Sequence, residues 1–204
     1  MRDAVALSPR SAFAGFAPTW QGSGVFVTDR DGLGLATVIA RREQAASLAA
    51  RVGERYGIDL PSGPRRIEAR TMAFAGTAPG AWLASCEGTP NTFALELREA
   101  LAGLASVCDQ SDGYAVLRLT GPHVRAALGK LLPIDLHPTA FRPGDVAVTS
   151  AAHIGVTVWR SADDDAAAPV FELAAFRSMA ASLWHAIDSS AAEYGLTFSH
   201  HEEH

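Results

Sequence analysis

An α+β fold made of two copies of one βαββα unit is what the sequence predicts, and three observations predict it. The order strand, helix, loop, strand, strand, helix reads off the chain twice, the second time with one strand added. An Ile-Asp-Leu loop follows the first helix in each copy, at Ile58–Leu60 and Ile134–Leu136. Trp82-Leu83-Ala84 and Glu172-Leu173-Ala174 end the last strand of their copies. Helices gathered on one face of largely antiparallel sheets define the class, and each half is close to a ferredoxin-like split βαβ. The copies are expected at about 23–106 and 107–195, with an extended arm over 1–22 before them and a polar tail over 196–204 after them.

The arm is rich in Ala, Gly, Ser and Pro, which favours an extended arm or loop ordered only by a partner. Gly34–Ala40 reads as the first strand. Arg41–Tyr56 follows as a helix with Ala45, Leu48, Val52 and Tyr56 on one face, and Gly57 stands where a left-handed glycine ends a helix. After the loop Ile58–Pro64, Arg70–Ala75 and Ala81–Ser85 read as strands around the turn Gly76–Gly80. Thr89 as N-cap and Pro90 at the first helical position open a helix with the stripe Phe93, Leu97, Leu101 and Leu104.

The second copy opens on the polar run Asp109–Gly113, then strand Tyr114–Leu119 and helix Pro122–Leu132, with Val124, Leu128 and Leu131 inward. Pro133–Pro138 is a loop. Val146–Thr149, Ile154–Arg160 and Val170–Ala175 are strands, with Asp163-Asp164-Asp165 as a solvated connection. Ser178 caps a last helix that buries Leu183, Trp184, Ile187, Ala191 and Tyr194.

Composition excludes several function classes. At 204 residues, with 48% apolar and 19% charged residues, the chain is long and apolar enough for a sizeable core. A net charge of −5 with scattered basic residues argues against nucleic acid, the densest basic patch being Arg65, Arg66 and Arg70 on an expected solvated loop or edge. Cys86 and Cys108 are too few and too far apart for a zinc or iron–sulfur site, and read as reduced small hydrophobes. Met1–Pro9 lacks a signal-peptide core and no apolar run reaches the ~18 residues of a membrane span, so a cytoplasmic, non-membrane protein is expected.

Motifs for chemistry are sparse. Gly32-Leu33-Gly34 begins a dinucleotide fingerprint but lacks its later glycine and precedes a strand. His123, His137, His153 and His185 do not cluster, and the tail His200–His204 reads as a frayed polar terminus before it reads as a metal site. Asp109, Asp112 and Asp135 are the carboxylates available for acid–base work. Each also has a plain structural reading: Asp112-Gly113 is a turn before a strand, Asp135 bonds its own loop, and Asp109 caps the Asp-Gly turn.

Four motifs in order carry a resemblance. They are Asp109-Gln110-Ser111-Asp112-Gly113, a β-run ending in Leu119-Thr120-Gly121-Pro122, Ile134-Asp135-Leu136-His137-Pro138, and Phe141-Arg142-Pro143-Gly144. Together they resemble the gamma subunit of heterotetrameric sarcosine oxidases, and Pro169–Leu173 and Ser178–Trp184 fit that family's closing strand and helix. The resemblance covers roughly 105–187 well and the first half in outline. It implies the fold of the folate-binding aminomethyltransferase domain. In that superfamily an Asp-Val-Ser element holds an aspartate near the folate amine; here Asp109-Gln110-Ser111 matches in part, continuing with Asp112-Gly113 in place of His-Met-Gly.

The resemblance further implies a non-catalytic chain without a cofactor of its own, Asp109 being at most a vestigial folate-site carboxylate. Its partners would be the alpha, beta and delta subunits, which would hold FAD, FMN, NAD, zinc and tetrahydrofolate. The assembly would oxidise sarcosine to glycine, pass the one-carbon unit to tetrahydrofolate and form peroxide. Phe13, Phe16, Trp20 and Trp159 are the candidate interface anchors, since aromatics are enriched where subunits meet. A mean hydropathy of +0.09 suits a permanent interface. The alternatives are a free-standing folate-binding or aminomethyltransferase-like protein, and the same subunit in a related N-methyl amino acid or imino acid dehydrogenase complex.

Overall fold

The computed structural model describes residues 10–200. Strand β1 (Gln21–Asp29) comes first, then β2 (Gly34–Ala40), α1 (Ala45–Tyr56), β3 (Arg66–Ala69), β4 (Met72–Ala78), β5 (Ala81–Cys86), α2 (Phe93–Ala100) and β6 (Ala105–Asp109). The same series then recurs as β7 (Tyr114–Thr120), α3 (Val124–Gly129), β8 (Val146–Ala151), β9 (Ile154–Arg160), β10 (Phe171–Phe176), α4 (Ala180–Ala191) and β11 (Leu196–His200).

The smaller sheet has the order β3-β4-β5-β2-β6 and the larger one β11-β1-β7-β10-β9-β8. Without β1 the two orders correspond strand for strand. Each copy is therefore βαβββαβ, with the ferredoxin-like arrangement plus one edge strand. In the first copy β2 pairs directly with β6, antiparallel. In the second, β1 is inserted between β7 and β11, antiparallel to the former and parallel to the latter. The α+β class and the duplication are as the sequence predicts; the units run 34–109 and 114–200, and β1 belongs to the second although it precedes the first.

Several expected boundaries shift for local reasons. The tail is corrected: Leu196–His200 is a strand, with Leu196 buried and backbone-bonded to Trp20, while 201–204 lie outside the described residues. The arm is corrected at its end, where Gln21 already starts β1, and its residues 1–9 are not described. Helix α1 starts at Ala45 because Glu43 takes a positive φ of 62°, and it ends as expected on Gly57, whose N–H bonds Gly53 O. Helix α2 stops at Ala100 ahead of Gly103 (φ 79°), which frees Ala105–Asp109 to form β6. Thr89 and Ser178 make no side-chain cap; the helices begin at Phe93 and, after a 3-10 turn, at Ala180.

Three apolar clusters give four layers. Leu48 and Val52 of α1 with Phe93 and Leu97 of α2 cover Ala36, Val38 and Phe74 on one face of the smaller sheet. Val124 and Leu128 of α3 with Leu183, Trp184 and Ile187 of α4 cover Val27, Leu117 and Leu173 of the larger. Between the sheets lie Leu35, Ala75 and Leu83 from one and Val116, Val146, Trp159 and Ala174 from the other. The period-two alternation of β2 and β7 produces this: Ala36 and Val38 face helices while Leu35 faces the other sheet, and Leu117 and Val116 divide likewise.

One side of the sandwich is stitched by backbone bonds, Val146 N to Pro64 O at 2.9 Å and Arg66 N to Gly144 O at 2.7 Å. Gly144 is favoured there by its φ of 87°, a conformation that other residues rarely adopt. The basic patch lies at a sheet edge, one of the two readings: Arg66 is on edge strand β3 and Arg65 and Arg70 are exposed, with Arg65 paired to Asp145 and the guanidinium of Arg66 5.7 Å from the Trp159 ring centre.

Candidate functional site

Asp109 ends β6 and starts the connection into β7, where the two copies join. Its Oδ1 accepts the backbone N–H of Ser111 at 2.9 Å and the Ser111 hydroxyl at 2.8 Å. Ser111 Oγ in turn accepts the N–H of Leu35 on β2 at 3.1 Å. Gln110 O then accepts the N–H groups of Gly113 and Tyr114, closing the reversal. The carboxylate is thus the hinge pin of a turn that holds two copies in register, which is the capping role read from the sequence.

The other motif residues are equally committed. Asp135 Oδ1 accepts the N–H of His137 at 2.8 Å, and His137 Nδ1 lies 2.8 Å from Thr139 Oγ1. Gly121 (φ 112°) lets β7 pass the backbone of β1, since a Cβ would meet Gly24 O at 2.8 Å. Phe141 stacks on Phe171 with ring centres 6.3 Å apart. Asp112 is exposed. No hydrogen bond joins Asp109, Asp112 and Asp135 among the described residues. His123 stacks on Tyr194 at 4.8 Å, and among the described residues no three metal-ligating side chains converge.

The cleft beside Ser111, bordered by Asp29, Asp31, Leu35, Tyr114 and Arg177, encloses about 20 Å³. That is space for about one water, against the roughly 300–1,000 Å³ of a ligand pocket.

Of the four interface candidates, Trp20 is the one largely exposed, at 57%, and Phe16 is half-buried. Phe13 and Trp159 are corrections, because both are buried in this chain's own clusters. Phe16 stacks on Trp184 at 5.9 Å, interplanar angle 8°. Exposed apolar side chains that the sequence reading did not single out are Phe26, Ile39, Leu95, Val148, Phe176 and Met179.

Buried charge was also missed. Glu172 on β10 lies between the sheets and accepts Arg118 Nη2 at 2.8 Å and Arg118 Nε at 3.2 Å. Arg30 Nε stands 3.8 Å from its other oxygen and Arg30 Nη2 pairs with Glu87. The available signal was one acidic residue within Phe171–Phe176 and one basic residue within Tyr114–Thr120, which are direct cross-strand partners. The acidic run is not simply solvated either. Asp163 pairs with buried Arg160, and backbone bonds from Ala168 first, then the Thr120 hydroxyl, hold the Asp164 carboxyl below its usual range.

Asp29, at the end of β1, is 3% exposed and bonded to Ser11 and His200. Burial pushes its carboxyl above the ordinary value of 3.8, against the opposing pull of those two partners. A carboxyl with a raised pKa holds its proton more tightly folded than unfolded. Its contribution favours the fold below about 3.8 and is lost as pH rises through the raised value. Asp29→Asn, neutral throughout, is expected to gain stability relative to the parent chain as pH rises from about 3 to about 7. Denaturant titrations across that range check it, and a constant difference between the two proteins contradicts it.

Residues 42–193 match the model of the Sarcosine oxidase, gamma subunit family. The chain belongs to that family. A sarcosine oxidase subunit gamma from Arthrobacter sp. is 36% identical over 120 residues, 58% of this chain and 57% of that one. The subunit gamma of Corynebacterium sp. strain U-96 is 30% identical over 138 residues, 64% and 62% of the two chains. The matched stretches span less than two thirds of these relatives' lengths. In fold, the chain is similar to a chain of the heterotetrameric sarcosine oxidase from Corynebacterium sp. U-96 in complex with pyrrole 2-carboxylate. The TM-score is 0.76 at 23% identity, over 93% of this chain and 97% of that one. It is also similar to the glycine cleavage system aminomethyltransferase T of Bartonella henselae, with a TM-score of 0.62 at 15% identity, over 86% of this chain and 48% of the enzyme. This member of the gamma subunit family therefore shares the fold of that sarcosine oxidase chain and of about half of that aminomethyltransferase. Among its described residues no helix is long and apolar enough to cross a membrane.

Proposed function

We propose that the chain is the non-catalytic structural subunit of a heterotetrameric sarcosine oxidase. The observation that carries this reading is the family match over residues 42–193. In the proposed assembly, alpha, beta and delta partners hold FAD, FMN, NAD, zinc and tetrahydrofolate. Sarcosine, dioxygen and tetrahydrofolate become glycine, methylenetetrahydrofolate and hydrogen peroxide. This chain packs on the larger subunits, with the exposed Trp20 as an anchor. Two free cysteines accord with a reducing cytoplasm.

Two observations at the junction between the copies support a non-catalytic role. Asp109 Oδ1 is occupied by two donors of Ser111, and the adjoining cleft of about 20 Å³ has no space for a pterin. No step of the reaction is assigned to this chain's residues; its part is to hold the assembly together.

Co-expression with the two large flavoprotein subunits and the delta subunit tests the reading. The chain is expected to purify in one complex with them, and alone to be free of flavin. A stable monomer that ignores those subunits overturns the proposal. Within the complex, Asp109→Ala is expected to leave turnover within about twofold, since it removes a turn bond of about 1 kcal/mol and no reacting group. Loss of turnover in an intact complex, or heat of tetrahydrofolate binding to the isolated chain, would give Asp109 a chemical role.

A further inference from the structure

Both ends of the described chain meet at one buried carboxylate. Asp29 Oδ2 accepts the hydroxyl of Ser11 and lies 3.3 Å from Nδ1 of His200, the last residue of β11. Ser11 Oγ also accepts the N–H of Phe13 at 2.8 Å, which shapes the turn at the start of the N-terminal segment. The contacts then run round the other way. Phe13 faces Phe16 at 6.3 Å, Phe16 stacks on Trp184 at 5.9 Å, Trp184 meets Phe198 edge-on at 4.6 Å, and Phe198 meets the His200 ring at 5.0 Å. The circuit closes on Asp29.

We propose that the Asp29 carboxylate is a latch that makes the ordering of Ser11–Trp20 and the docking of β11 conditional on each other. Each segment has contacts of its own, Phe13 buried and Thr19 N–H bonded to Asp188 Oδ1 at 2.9 Å in one, Leu196 buried and Thr197 Oγ1 bonded to Gly22 O at 2.7 Å in the other, but Asp29 is the side chain that bonds both. Ser11–Trp20 contains no helix or strand, and β11 is an edge strand paired only with β1. Segments with few ladder bonds open locally at low cost unless side chains tie them down. The far ends are tied as well, by Leu196 N–H to Trp20 O at 2.7 Å. A carboxylate buried at the cost of its hydration is justified here because one oxygen serves a donor from each terminus. Besides Ser11 and His200, the groups around Asp29 are Asp31, which opposes its charge, and Arg30, Tyr114 and Arg177, which border the same cleft. The latch would also fix the position of Trp20, but it does not depend on the assembly proposed above.

Amide hydrogen exchange on the full chain tests it, with Leu117 and Leu173 at the sheet centre as references for intact folding. Ser11→Ala is expected to speed exchange in Leu196–His200, and His200→Phe to speed it in Ser11–Trp20, each about tenfold, the factor that corresponds to about 1.4 kcal/mol. The phenyl ring keeps an aromatic contact with Phe198 and removes both ring nitrogens, including the Nδ1 that meets Asp29. With Asp29→Leu present, the two substitutions are expected to lose their effect on the opposite segment. If each substitution changes only its own segment, relative to the references, the two termini are independent and the latch is refuted.

Discussion

Replacing Glu172 by alanine is expected to destabilise the chain by about 3–5 kcal/mol, the usual result of removing one partner from a buried ion pair. The side chain of Glu172 is 4% exposed and that of Arg30 5%. Without Glu172, Arg30 keeps Glu87, but its Nε already has no hydrogen-bond partner, and its charge stays between the sheets. Arg118 is 39% exposed at its side chain and turns to water at less cost. The melting temperature should fall by roughly 10 °C for a chain of this size. Glu172→Gln, which keeps the shape and an acceptor for Arg118, should lose less. Thermal and denaturant unfolding of both variants measure this. A loss under about 1 kcal/mol for the alanine variant would mean that the pair behaves as an exposed one.

The position of Glu172 explains why it matters to this architecture. Its neighbours on β10, Phe171 and Leu173, point to the helices, so Glu172 and Ala174 must face the other sheet. The inter-sheet layer is apolar at Leu35, Leu83 and Trp159 and becomes ionic at Arg30, Glu172 and Arg118. Arg30 carries the ionic contact across, reaching Glu87 after β5 as well as Glu172 on β10. A paired charge fixed by cross-strand register allows fewer alternatives.

Where the sequence pattern was long and periodic it was legible. The stripe Phe93, Leu97 and Leu101 is buried, as is Leu183, Trp184 and Ile187, and the Gly57 stop stands where it was read. The Ile-Asp-Leu loops do follow the equivalent helices α1 and α3, but the second sequence match is one residue out of register, since Leu83 faces the other sheet and Leu173 faces the helices; the duplication was legible from the order of elements. What escaped were short strands whose partners lie far along the chain. Arg66–Ala69 alternates two charges with two apolar residues, and only pairing with β4 makes it a strand. Gln21–Asp29 starts with glycines at 22 and 24, which carry no strand signal. Those glycines are needed because a Cβ on Gly24 would lie 2.2 Å from Tyr194 O. Leu196–His200 looks like a polar tail until β1 is placed beside it. The turn role of Asp109 was readable locally; the buried partners of Asp29 were not, since Ser11 and His200 stand at opposite ends of the sequence.

Phe13→Ala is expected to cost about 3–5 kcal/mol in the isolated chain, the usual loss for a fully buried aromatic. An aromatic residue in a Gly-, Ala- and Ser-rich arm looks like an anchor waiting for a partner, but Phe13 is 0% exposed and packs into the cluster beneath α4. Its removal would leave a cavity there and loosen Phe16, whose ring lies between Phe13 and Trp184. Trp20, 57% exposed, should behave in the opposite way. Trp20→Ala is expected to change the isolated chain's stability by no more than about 0.5 kcal/mol, and to weaken its retention by the larger subunits. Chemical denaturation of each variant alone, set beside its co-purification, separates the two roles. If Phe13→Ala were silent alone and harmful only in the complex, the segment would be partner-ordered after all, and the aromatic circuit through Trp184 and Phe198 would form only on assembly.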